Sequence, residues 1–132
     1  MLGGMMDDVV EPAAEDFQLP RILAALADHN RLTAVRFVAR NGESWCGQVR
    51  ERAMLPMTKS TFSHHLRILR EAGVIAKRIE GARGYMRVRK DDLDKRYPGL
   101  IDSIVDVTEP IVTEPIETGP VEALTGPVPQ PR

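Results

Sequence analysis

The sequence predicts a mainly α-helical fold carrying one small β-hairpin, and three observations support that expectation. Residues 58–75, TKSTFSHHLRILREAGVI, place Phe62, Leu66, Leu69 and Ala72 at i, i+4, i+7 and i+10, the single buried stripe of an amphipathic helix. Residues 74–80 and 85–89 alternate apolar and charged side chains around Gly81-Ala82-Arg83-Gly84, the pattern of two short strands joined by a glycine-containing loop. The third observation is charge. Residues 21–98 hold 17 Lys and Arg against 8 Asp and Glu, whereas residues 1–20 and 99–132 each carry a net −5. The overall charge of −1 thus averages a strongly basic middle with two acidic ends. A polar-fronted helix followed at once by a basic hairpin is a winged helix-turn-helix.

Each element can be justified in turn. Residues 1–17 are rich in Gly, Met and acidic side chains and are expected to be a disordered tail, with Met5 or Met6 as alternative starts. The domain is expected over residues 18–107. Its first helix opens at Pro20, which suits a first helical turn, and turns Ile22, Leu23 and Leu26 inward. A second runs from a cap at Asn30 to Arg40, with Leu32, Val35, Phe37 and Val38 inward, and stops at Asn41-Gly42. A third, residues 45–53, is the positioning helix, and the connection through Leu55-Pro56-Met57 exceeds the minimal turn. Thr58 caps the fourth helix and Gly73 ends it. After the hairpin, Asp91-Asp92 cap a short turn and Pro98-Gly99 break it. Residues 100–107 form a last helix with Leu100, Ile101, Ile104 and Val105 on one stripe. Residues 108–132 repeat Thr-Glu-Pro-Ile and end in prolines, and are expected to be a second disordered acidic tail; a partner-docking peptide is the other reading.

The exposed face of the fourth helix carries Lys59, Ser60, Thr61, Ser63, His64, Arg67 and Arg70. Hydroxyls and imidazoles touch base edges when a helix enters a major groove, while Arg and Lys bind phosphates or guanine. An ordinary basic surface helix would look the same by itself. The hairpin that follows adds Arg78, Arg83, Arg87 and Arg89 on its tip and outer face, within reach of an adjacent minor groove or backbone. The expected partner is double-stranded DNA. Its expected contacts are Lys59, Ser60, Thr61, Ser63, His64 and Arg67 on the helix, with Arg78, Arg83 and Arg87 on the wing.

The run STFSHHLRILREAGVI with IEGARGYMRV resembles the arsenic-repressor (ArsR/SmtB) family of bacterial winged-helix regulators. LAALADHNRLTAVRFV looks like that family's opening helices. More narrowly, the segments CGQ, LPMTKSTFSHHLRILREAGVI, EGARG and DDLDKRYPGLID look like an actinobacterial-type subgroup of small members. The resemblance covers residues 20–104, and SHHLRILREAGVI is its specific block. It implies a homodimer that binds an operator and answers a signal, with dimer contacts on the first and last helices. A domain this small also buries little surface alone, which favours dimerisation independently. The expected function is a sequence-specific DNA-binding transcriptional regulator, a repressor that binds a pseudo-palindromic operator as a homodimer. At the place of the family's structural His-Leu stand His65 and Leu66, so His65 is expected to pack or cap backbone and His64 to face DNA.

Many members of that family sense metals, through Cys-x-Cys on the third helix or carboxylate and His ligands on the last. Here residues 43–48 read ESWCGQ, with one thiol, and the last helix has Asp102 and Asp106 but no His. No metal site and no cofactor are expected. Cys46 has two readings, a small buried apolar residue or the redox switch of a thiol-sensing repressor. Enzymatic activity is not expected: Ser63, His64 and His65 are adjacent on one helix and point apart, and no glycine-rich phosphate loop follows a strand. A winged-helix module that binds protein instead of DNA is the alternative from another class, and the basic middle argues against it. No apolar run approaches the roughly 18 residues of a membrane span, and no signal-peptide pattern opens the chain. One cysteine gives no disulfide framework. The chain is expected to be soluble and cytoplasmic.

Overall fold

Caps, prolines and glycines punctuate residues 9–106, the part described in a computed structural model, into nine α-helices and β-strands. They are α1 (Leu19–Leu26), α2 (His29–Asn41), β1 (Ser44–Trp45), α3 (Cys46–Arg52), α4 (Lys59–Ala72), β2 (Ile75–Glu80), β3 (Arg83–Val88), α5 (Lys90–Arg96) and α6 (Leu100–Val105). The tail expectations for residues 1–8 and 108–132 lie outside the described residues.

Local chemistry accounts for most boundaries. Pro20 sits in the first turn of α1, where its missing N–H costs nothing. The cap of α2 is Asp28, not Asn30: its carboxylate accepts the N–H groups of Asn30 and Arg31 at 2.8 and 3.0 Å. Asn30 is therefore a donor to the cap rather than the cap itself. The expected cap of α4 is observed, Thr58 Oγ1 accepting the Thr61 N–H at 3.1 Å. Gly73 closes α4 with φ 94°, and a side chain there would also collide with the Phe17 ring. Asp91 and Asp92 lie inside the first turn of α5 rather than ahead of it.

The wing is a three-stranded antiparallel sheet in the order β1-β3-β2. β2 and β3 pair from Ile75↔Val88 to Glu80↔Arg83, so Arg83 and Gly84 belong to the strand and only Gly81-Ala82 make the turn. Gly81 takes φ 62° there, the conformation a two-residue hairpin loop asks of its first position. β1 adds Ser44↔Met86 and Trp45↔Tyr85. This strand was not foreseen, because two residues are too few to show alternation.

The core lies where α1, α2, α3 and α4 meet the root of the sheet. Ile22, Val35, Val38, Val49, Leu69, Ile75, Met86, Leu93 and Ile101 are all buried in it. The expected stripe of α4, Phe62, Leu66, Leu69 and Ala72, is buried throughout. Each such large side chain contributes about 1.5–3 kcal/mol. Leu23, expected inward, instead faces solvent at 48% exposure beside Leu19 at 36%.

Residues 9–17 correct the expected extent of the N-terminal tail. They lie across the C-terminal end of α4 and the root of the wing, with a 3-10 turn at Ala14–Asp16. Glu11 accepts from Arg70 Nε at 2.8 Å and from the Lys77 N–H at 3.0 Å. The Pro12 carbonyl accepts from Arg89 at 2.6 Å, and Phe17 is buried beneath the Arg89 guanidinium. Arg70 and Arg89 are thus buried, not on the outer faces where the sequence places them. A buried guanidinium needs a full set of acceptors, and this segment supplies several of them.

Candidate nucleic-acid interface

The helix-turn-helix is built by α3, the six-residue connection 53–58 and α4. Met54, in the left-handed region at φ 56°, ends α3 and reverses the chain, while Leu55 is buried beneath the turn. Arg50 Nη1 donates to the Met57 carbonyl at 3.1 Å and fixes the connection to α3. With its apolar stripe in the core and Thr58 capping its start, α4 presents its N-terminal half outward.

Lys59, Ser60, Thr61, Ser63 and His64 are all exposed on that half, and Arg67 is exposed just beyond it. The side chains of Lys59, Ser60, Ser63 and His64 make no hydrogen bond or ion pair among the described residues. Thr61 Oγ1 accepts from the Thr58 hydroxyl at 3.2 Å, which leaves its own proton to donate. Arg67 pairs with Glu71 one turn on, at 3.0 Å. His65 behaves differently from its neighbour, its Nδ1 lying 3.0 Å from Arg31 Nη1. A guanidinium only donates, so Nδ1 accepts and the ring proton of a neutral His65 sits on Nε2. His65 therefore ties α4 to α2, as its expected packing role requires.

The wing divides its arginines. Arg87 is exposed and makes no hydrogen bond or ion pair among the described residues. Arg83 is exposed with its guanidinium 4.0 Å from the centre of the Trp45 ring, a stacking that aims the cation from the wing's tip. Arg78 is committed within the protein: it grips Glu43 through two nitrogens, at 2.9 and 3.2 Å, and reaches Glu80 at 2.6 Å. Those hydrogen bonds hold the Glu43 carboxyl below its ordinary value. The Arg78 charge is thereby largely neutralised.

Cys46 opens α3 and is half-buried. Burial pushes its thiol up, against the smaller opposing pull of Lys77 and Arg70. A protonated thiol is a weak nucleophile. Among the described residues, no three His, Cys, Asp or Glu side chains come together in a way that could hold a metal ion. Nor is any helix among them long and apolar enough to cross a membrane.

Local patterns showed which residues line α4. They gave no sign of Glu11, whose partners lie 59 and 66 residues away, or of Trp45 as the support of Arg83.

These features define a winged helix-turn-helix DNA-binding transcriptional regulator. The model of the bacterial regulatory protein, arsR family, matches residues 53–77, which run from the end of α3 through α4 into β2. The chain is 34% identical over 85 residues to the uncharacterised HTH-type transcriptional regulator YceK of Bacillus subtilis, covering 64% of this chain and 83% of that protein. It is 32% identical over 94 residues to an uncharacterised HTH-type transcriptional regulator of Methanocaldococcus jannaschii, covering 71% of this chain and 96% of that one. Among solved structures, it is similar to a homodimeric winged helix-turn-helix DNA-binding domain from Mycobacterium bovis, a possible ArsR-family transcriptional regulator. There the TM-score is 0.55 at 26% identity, over 74% of this chain and 86% of that one. The chain belongs to the ArsR family.

Proposed function

We propose that this regulator is a repressor that binds a pseudo-palindromic operator as a homodimer. The N-terminal half of α4 reads the major groove, and Arg83 and Arg87 lie along the flanking backbone. The observation that carries this reading is the run of exposed side chains on α4, Lys59, Ser60, Ser63 and His64, that make no hydrogen bond or ion pair among the described residues, at the N-terminal end of the helix. Two copies place two such helices in successive major grooves, and occupancy of the promoter represses by exclusion. Arg67 contributes if it leaves Glu71 for a phosphate, an exchange of one exposed pair for another that costs little.

The dimer is supported by Leu19 and Leu23, which are apolar and exposed on α1, and by the homodimeric state of the Mycobacterium bovis domain. We assign the protein to the cytoplasm, with no catalytic step and no cofactor. The redox reading of Cys46 is not preferred, because burial keeps its thiol protonated.

Genome-wide capture of bound DNA tests the proposal together with sedimentation. The expected result is an inverted repeat bound by a dimer. Leu23→Glu, a change at an exposed position, should give a folded monomer whose operator affinity falls by at least about a hundredfold. A wild-type monomer that binds its operator tightly would refute the dimer. Absence of any salt-dependent DNA binding would mark the chain as a protein-binding module.

A further inference from the structure

A cavity of about 750 Å³ opens between α3, α4 and the wing. That is ample for a small organic ligand. Phe62, Leu66 and Leu55 contribute to its apolar wall. Trp45, Met54 and Ile79 also line it, although they are 37%, 83% and 62% exposed. These are three of the six large hydrophobic side chains left exposed among the described residues, gathered around one opening. A surface that met only phosphates would gain nothing from an indole, a thioether and a sec-butyl group there.

The charges in the same wall are mostly positive. Arg50, Lys59 and Lys77 face one carboxylate, Glu51, and Arg50 is held by the Met57 carbonyl. Lys77 is half-buried, and its ammonium has no hydrogen-bond or ion-pair partner among the described residues. Its side chain crosses the neighbouring strand at Gly84: a Cβ on that glycine would stand 2.6 Å from Lys77 Cε and 3.5 Å from Nζ. The bare glycine leaves room for the lysine to lie along the cavity wall. A half-buried cation without a partner, set among aromatic and aliphatic walls, is complementary to an anion with an apolar body.

We infer that this cavity is an effector site for a small aromatic monoanion, a carboxylate or sulfonate whose ring packs on Trp45 and Phe62 and whose charge meets Lys77. Occupancy opposes DNA binding because the wall is shared. Lys59 and Ser63 belong both to the cavity and to the front of α4, and Trp45 supports Arg83 at the wing's tip. A ligand that engages Lys59 or tilts Trp45 removes contacts the DNA complex uses, and by linkage DNA weakens the ligand equally. This coupling rests on the proposed role of α4 in reading DNA. Occupancy of the cavity does not.

Trp45 is the single tryptophan of the chain, so its fluorescence reports on the cavity directly. The full-length protein, without DNA, is titrated with anilinonaphthalene sulfonate and with its neutral analogue N-phenylnaphthylamine, reading energy transfer from Trp45. The expected result is one saturable site per chain that prefers the anion by at least about tenfold. Lys77→Met, which keeps the stem over Gly84, should abolish that preference. Ile79→Glu, on the exposed rim, should weaken the anion further without unfolding the wing. Equal affinity for the two probes, unsaturable uptake, or an anion preference that survives Lys77→Met would overturn the site. In a second arm, anion at saturation should lower affinity for the captured DNA by at least about tenfold. Binding of the anion with DNA affinity unchanged overturns the effector role alone. A ligand-free protein that binds no DNA overturns the proposed function and leaves the first arm standing.

Discussion

Lys59 and His64 in the first half of α4 and Arg70 near its end look equivalent in the sequence, all polar and all off the apolar stripe. Their surroundings differ. Lys59 and His64 have no hydrogen-bond or ion-pair partner among the described residues, whereas the Arg70 side chain is 9% exposed and bonded to Glu11. The wing repeats the contrast, with Arg87 open to solvent and Arg89 buried over Phe17 and paired with Asp92. One half of each element is available to a partner, and the other fastens the N-terminal segment, α4 and the wing to one another. A positive charge on a helix face is therefore functional or structural according to what the rest of the chain brings to it.

The largest effect should come from breaking the fastened half. Glu11→Ala takes the carboxylate from a nearly buried guanidinium and from the Lys77 N–H at once. Glu11 itself is 25% exposed, so solvent screens part of the loss. The expected cost is about 2–3 kcal/mol of unfolding free energy, read from the denaturant midpoint. The salt slope of DNA binding should stay as it is. Wild-type stability in this variant would erase the distinction between the two halves of α4.

At the open half the same kind of change should act on DNA instead. His64→Ala or Thr61→Ala is expected to cost about 1–3 kcal/mol at the base pair each side chain meets and to relax the choice of base there. Unfolding midpoints should move little, since His64 is exposed and Thr61 gives up only a hydroxyl contact with Thr58. Equal losses on all DNA sequences would make these residues backbone contacts.

The contrast also explains what could be read before the structure was known. The stripe of α4, the Thr58 cap and the Gly73 stop depend on residues within one helix and were legible from spacing alone. The sheet was half legible, since β2 and β3 are six residues each around a glycine-containing loop and β1 has only two. Asp28 was overlooked as a cap for a local reason, because Asn30 two residues on is as good a capping residue by type. Arg70 and Arg89 were misplaced for a different reason. Their acceptors Glu11 and the Pro12 carbonyl lie 59 and 77 residues away, beyond any periodicity. The same holds for the candidate site. The helix front was visible, whereas the cavity beside it needs Trp45, Phe62 and Lys77 from three elements.

The smallest expected effect sharpens the comparison within the wing. Arg78 on β2 and Arg87 on β3 are both exposed and carry the same charge, but Glu43 and Glu80 already surround the Arg78 guanidinium. A cation balanced by carboxylates releases few counterions from DNA, because the phosphate must first displace the acids. Arg87→Ala should therefore reduce the slope of log affinity against log salt by about one, equally for operator and random DNA. Arg78→Ala should change that slope by less, and should instead loosen the contact between β2 and the loop before β1 that Glu43 provides. Mobility shifts at four salt concentrations on both DNAs separate the cases. Equal slope changes for the two variants would mean that Arg78 leaves Glu43 when DNA arrives. The pairing seen in the protein alone would then describe a resting position of Arg78 and not its role.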